Sequence, residues 1–188
     1  TSEIDVELEL MRYILTFVIC LSTIIQAQSF GQNKVQYRNF DWSFIQTPHF
    51  DIYYYGEKQG LAEFTAEVEE EAYEQISLHL RWDLKRRVSI MVYNSHNEFQ
   101  QTNVVGPYMR EGVGGVTELF KNRVVFPFEG NYEQFRHVIH HELVHAVIND
   151  MVYGGSMQNV ISSRTKIRVP LWSNEGLAEY LSLNWDTK

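Results

Sequence analysis

Four of the seven histidines stand between residues 137 and 145. At their centre is His141-Glu142-Leu143-Val144-His145, an H-E-x-x-H pattern. On an α-helix, residues four apart share a face and lie about 6 Å apart along the axis. Both imidazoles can then reach one ion at about 2.0–2.1 Å, the distance of a zinc–nitrogen bond. Glu142 is next to the first histidine and can reach a water on that ion. Zinc lowers the pKa of such a water toward about 7, and a carboxylate can take the proton. The neighbours Val138, Ile139, Leu143, Val144, Ala146 and Val147 describe a buried helix. Polar side chains in such a helix need partners, and an ion is one. Core histidines satisfied by hydrogen bonds would also account for the five residues taken alone.

A catalytic zinc takes three protein ligands and keeps a position for water. The third candidate lies in Pro170-Leu171-Trp172-Ser173-Asn174-Glu175-Gly176-Leu177-Ala178-Glu179-Tyr180. This stretch resembles the L-W-x-N-E-G-x-A-x-[YF] signature of the M1 aminopeptidase branch of the gluzincin metallopeptidases. Their third zinc ligand is a glutamate on the helix after H-E-x-x-H. It also resembles the peptidase MA-like modules near the N-terminus of secreted bacterial proteins. The resemblance implies zinc held by His141, His145 and Glu175, with Glu142 as the general base. It implies that Glu179, one turn after Glu175, orients a ligand histidine, with Asn174 in a similar supporting role. A ligating histidine usually gives its second N–H to a carboxylate or carbonyl. The implied reaction is zinc-dependent hydrolysis of a peptide or protein substrate.

The chain departs from the M1 pattern in two places. The interval from His145 to Glu175 is longer, so Val152–Val169 must loop out and return. Where those aminopeptidases carry G-A-M-E-N, this chain has Gly114-Gly115-Val116-Thr117-Glu118, with the acid one position late. An extended peptide could still pair with the backbone at Gly115 and Val116, because β-augmentation needs only N–H and C=O groups. Exopeptidase specificity gains no support, and Gly114-Gly115 reads equally well as a turn or bulge. His140 turns away from the ligand face and reads as structural or solvent-facing. His137 precedes His141 by one turn and is not needed once three ligands are in place. Tyr180, Tyr153 and Tyr108 are the candidate donors to an oxyanion, unranked.

The elements that must position these residues follow from periodicity. Phe50–Tyr55 and Val88–Tyr93 alternate as strands. Val116–Leu119 and Arg123–Phe128 read as a hairpin, with Pro127 restricted to an edge or a strand end. Residues 60–82, 132–150 and 171–183 read as helices, and Ser95 with Glu98 reads as the capping box of a short one. Glu67 and Glu69 to Glu71 read as a solvated acidic face. Gln28 to Pro48 reads as an irregular lead-in. The fold class expected is α+β, a zincin-like domain: a small mixed sheet with long helices, in which the H-E-x-x-H helix is followed by a glutamate-bearing helix.

Composition sets the outer limits. The 188 residues are 44% hydrophobic and 21% charged, enough for a packed core. A net charge of −8 opposes nucleic acid as a partner, since phosphate binding needs clustered Lys and Arg. One cysteine excludes a zinc site built on several thiolates. Met11 to Ala27 carries Arg12, an uncharged apolar run and a small residue at its end, the pattern of a secretory signal peptide. Ile19 before Cys20 is too bulky for a lipoprotein signal. The expected organisation is an upstream extension and signal peptide over 1–27 and a metallopeptidase domain over 28–188. The protein is expected to be exported to the periplasm, cell surface or exterior. Association with the cell envelope through further C-terminal domains is the expected context. A competing reading is a zincin-fold binding or scaffold module of a larger envelope protein, with weak or no turnover. Glu142 favours catalysis, because a scaffold need not keep a base.

Overall fold

Alternating residues build the sheet, and their apolar members decide its two faces. The computed structural model describes residues 9, 11–17, 38–102, 113–118, 122–154 and 169–183. The chain divides into two units, Thr1–Lys34 and Val35–Lys188. In the first, residues 11–17 are helical with exposed side chains. No helix among the described residues is long and apolar enough to cross a membrane. Cys20, Ala27, Tyr108, Leu119 and residues 155–168 of the expected loop lie outside the described residues.

The second unit is an α+β fold around a five-stranded mixed sheet. Its strands are β1 (Trp42–Gln46), β2 (Phe50–Tyr55), β3 (Val88–Tyr93), β4 (Val116–Glu118) and β5 (Arg123–Pro127), in the order β1-β2-β3-β5-β4. β2, β3 and β5 run parallel, and β1 and β4 pair antiparallel at the two ends. The helices are α1 (Gln59–Leu80), α2 (His96–Phe99), α3 (Tyr132–Tyr153) and α4 (Leu171–Leu183).

Ile52, Ile90 and Val124 stand in register across the three parallel strands, all fully buried. Successive side chains of a strand point to opposite faces, so this row shares its face with Phe50, Val88 and Phe126. There they form one core with Val68, Ala72 and Ile76 of α1, with Ile139, Leu143 and Val147 of α3, and with Ala178 and Leu181 of α4. The other face carries a smaller cluster, Tyr55, Tyr93, Phe99 and Val125, closed by Phe40, Trp42 and Val116. Pro127 ends β5, beyond the last residue paired with β4, so its missing N–H costs no ladder bond on that side.

Three expectations are corrected. The lead-in before residue 48 contains a strand, β1, which the turn Thr47–His49 folds back on β2. Thr47 N donates to the Phe50 carbonyl at 2.9 Å, and Phe50 N to Thr47 Oγ1 at 3.0 Å. α3 runs about one turn past residue 150 and stops at Gly154, whose φ of 63° is the left-handed cap that glycine adopts at low cost. Glu69 is not on a solvated face: it is fully buried between α1 and the rest of the core, while Glu67 and Glu71 are exposed. Glu70 accepts from the backbone N of His49 at 3.0 Å, and Glu71 pairs with Arg136 at 2.6 Å.

Candidate metal centre

α3 begins at Asn131, whose side chain accepts from the backbone N–H of Glu133 and Gln134 at 3.0 and 3.1 Å. That cap satisfies two of the helix's orphan donors and fixes its start. Between Ile139 and Asp150 most of α3 is buried, since the sheet and α1 cover one side and α4 another. α4 starts after Pro170, whose carbonyl accepts from Ser173 N and Asn174 N at 3.0 Å each.

The packing of α3 against α4 brings three donors together. His145 Nε2 lies 3.2 Å from His141 Nε2. Glu175 Oε2 lies 3.3 Å from His141 Nε2 and 3.5 Å from His145 Nε2. Bonds of 2.0–2.1 Å in a tetrahedron place neighbouring donors about 3.3 Å apart. The three distances therefore form one face of such a tetrahedron. Two ring nitrogens and a carboxylate oxygen converging this closely suit a cation better than one another. His141, His145 and Glu175 thus make a candidate metal site. Two imidazoles and a carboxylate are a donor set that zinc accepts.

The same two helices supply further contacts. Glu179 Oε2 is 3.4 Å from His141 Nδ1 and 3.7 Å from His137 Nε2. Glu175 and Glu179, one turn apart on α4, thus alternate with the imidazoles of α3. His145 Nδ1 is buried, with no hydrogen-bond partner among the described residues. Asn174 lines the cavity beside the site, and its Oδ1 is buried without a hydrogen-bond partner among those residues. His140 is buried in the core rather than facing solvent. Burial, aided by Arg136 and His137, pushes its imidazole down to about 3, so it is neutral.

Glu142 faces β4. Thr117 Oγ1 is 2.6 Å from Glu142 Oε2 and 3.1 Å from the Glu142 carbonyl. Burial raises the Glu142 carboxyl above the ordinary carboxylate range. The Thr117 hydroxyl and the imidazoles of His145 and His141 act against that rise, and Glu175 adds to it. Gly115 makes the approach of strand to helix feasible. A Cβ there would stand 2.8 Å from Glu142 Cγ and 2.9 Å from Phe126 Cδ1. A Cβ on Gly114 would meet Val138 Cγ2 at 2.8 Å.

A cavity of about 480 Å³ lies between β4 and α3. Gly115, Val116 and Thr117 form one wall; Glu142, His145 and Glu175 lie along it; Ile148, Val152 and Tyr153 extend it two turns down α3. Tyr180 is largely exposed on α4. Glu118 is held by Arg123, which contacts Glu118 Oε2 through Nε at 2.7 Å and through its terminal nitrogen at 2.5 Å. Sequence reasoning overlooked Thr117. No sequence signal pointed to it, because the contact joins residues 25 positions apart on different elements.

Comparison of the chain with protein-family models, curated proteins and solved structures returned no match.

Proposed function

We propose that the protein is a zinc-dependent metallopeptidase of gluzincin type, exported from the cell. The observation that carries this reading is the convergence of His141, His145 and Glu175, with His145 and Glu175 lining, beside Glu142, a cavity walled by a short strand. Zinc bound by those three residues would polarise a substrate carbonyl and acidify the attacking water. A peptide added along β4 would use the strand's backbone N–H and C=O groups, with Gly115 and Val116 as the first contacts. Glu142 takes one proton from the water as its oxygen bonds to the carbonyl carbon. The amide C–N bond then breaks, and Glu142 returns that proton to the departing amine. Glu179 fixes the tautomer and orientation of His141. Glu118 is engaged by Arg123 and does not line the cavity, so no acid on β4 is placed to hold a substrate's free amine. This favours internal peptide bonds.

The test is peptide-library cleavage by the zinc-loaded chain and by Glu142→Gln. Cleavage lost in the variant, with zinc retained, supports the enzyme. Zinc bound with no cleavage by either form would favour the scaffold reading.

A further inference from the structure

Thr117 stands 25 positions before Glu142 and on a different element, yet its hydroxyl lies 2.6 Å from that carboxyl group. Two features hold the pair. Gly115 lets the strand lie directly on the Glu142 stem, and the side chain two residues later comes level with the carboxylate. The hydroxyl also lies 3.1 Å from the Glu142 carbonyl, so it has two acceptors on one residue. A threonine hydroxyl carries one donor hydrogen and two acceptor lone pairs. It can donate to an ionised carboxylate. It can also accept from a protonated one while turning its own hydrogen to the backbone carbonyl.

We propose that Thr117 is a positioning residue for Glu142, holding the base in one orientation through both directions of its proton transfer. The inference rests on the metallopeptidase reading. Metal binding does not require a hydroxyl at this position, because both side-chain hydrogen bonds of Thr117 go to Glu142 and none, among the described residues, to His141, His145 or Glu175. The wall that carries the substrate and the group that aims the base are then the same strand, so a peptide seated on β4 lies in register with Glu142.

The test compares Thr117→Val, Thr117→Ala and Thr117→Ser as zinc-loaded full chains on a peptide that the parent cleaves. Valine and alanine should lower kcat by about tenfold to a hundredfold, the scale of a misaimed catalytic group. KM and zinc content should stay within about twofold, and serine should keep most of kcat. Retention of kcat by both valine and alanine overturns the inference. A serine variant as impaired as valine overturns it too, since the hydroxyl would then not be the operative group. If valine fails to fold, alanine against serine decides. In each of these outcomes an active parent leaves the metallopeptidase reading standing. A zinc-loaded parent that cleaves no peptide ends that reading and this inference together.

Discussion

His141 stands between two carboxylates of α4: its Nε2 faces Glu175 at 3.3 Å and its Nδ1 faces Glu179 at 3.4 Å. One ring thus joins a candidate metal ligand to the group that can fix its tautomer. Both carboxylates come from one helix face, one turn apart, which matches the one-turn spacing of histidines on α3.

The first prediction concerns Glu179. Its replacement by alanine leaves His141 free to rotate and should weaken zinc binding by about ten- to a hundredfold, the usual effect of losing such a partner. Competition against a chromogenic chelator measures this. Unchanged affinity would remove Glu179 from the site.

A second prediction separates binding from chemistry. Glu142→Gln keeps the shape and a hydrogen-bonding partner for Thr117 but cannot take a proton. Zinc affinity should change little, and turnover should fall by at least about a hundredfold. Metal analysis and initial rates on one preparation read both numbers.

The third concerns Glu69, which is fully buried and has neither carboxyl oxygen hydrogen-bonded among the described residues. Burial, with Glu70 and Glu142 adding to it, raises its carboxyl well above the ordinary value of 4.5. The folded chain therefore holds this proton more tightly than the unfolded one. Stability falls as pH rises above the ordinary value, because unfolding then releases the proton. Glu69→Gln abolishes that term. The variant should match the parent near about pH 4 and exceed it by about 1 kcal/mol or more near about pH 8. Urea unfolding at the two pH values measures the difference. A variant less stable than the parent at the higher pH would contradict the assignment.

The fourth concerns Gly115. Alanine there would press on Glu142 Cγ and on the fully buried Phe126 ring, which has no room to retreat. Gly115→Ala should destabilise the fold by about 1–3 kcal/mol, the usual cost of overpacking. It should also lower turnover by displacing the base. An equally stable and active variant would show that the strand can shift away from α3.

What could be read in advance depended on how local the signal was. His141 and His145 lie one turn apart in a strongly apolar stretch, so the spacing alone places them on one helix face. Glu175 and Glu179 repeat that spacing in a recognisable signature. The parallel strands were legible because β2 and β3 alternate cleanly. β1 was not, because it is an edge strand: Phe44 stays 59% exposed and the stripe is only half apolar. The buried side of His140 was not legible either, since a helix covered on most sides has no polar face to orient against. Glu69 sits in a run of acids that patterning assigns to water, and tertiary packing overrides that assignment. The Thr117–Glu142 contact depends on where β4 lies against α3, a relationship that no short window of sequence contains.

The central claim is that His141, His145 and Glu175 hold one metal ion. Zinc titration of the metal-stripped chain, read by isothermal calorimetry alongside Glu175→Ala and His145→Ala, tests it most directly. The account predicts one zinc per chain for the parent and a large loss of affinity in both variants. A parent that binds no stoichiometric zinc, or variants that bind it as tightly as the parent, would contradict it.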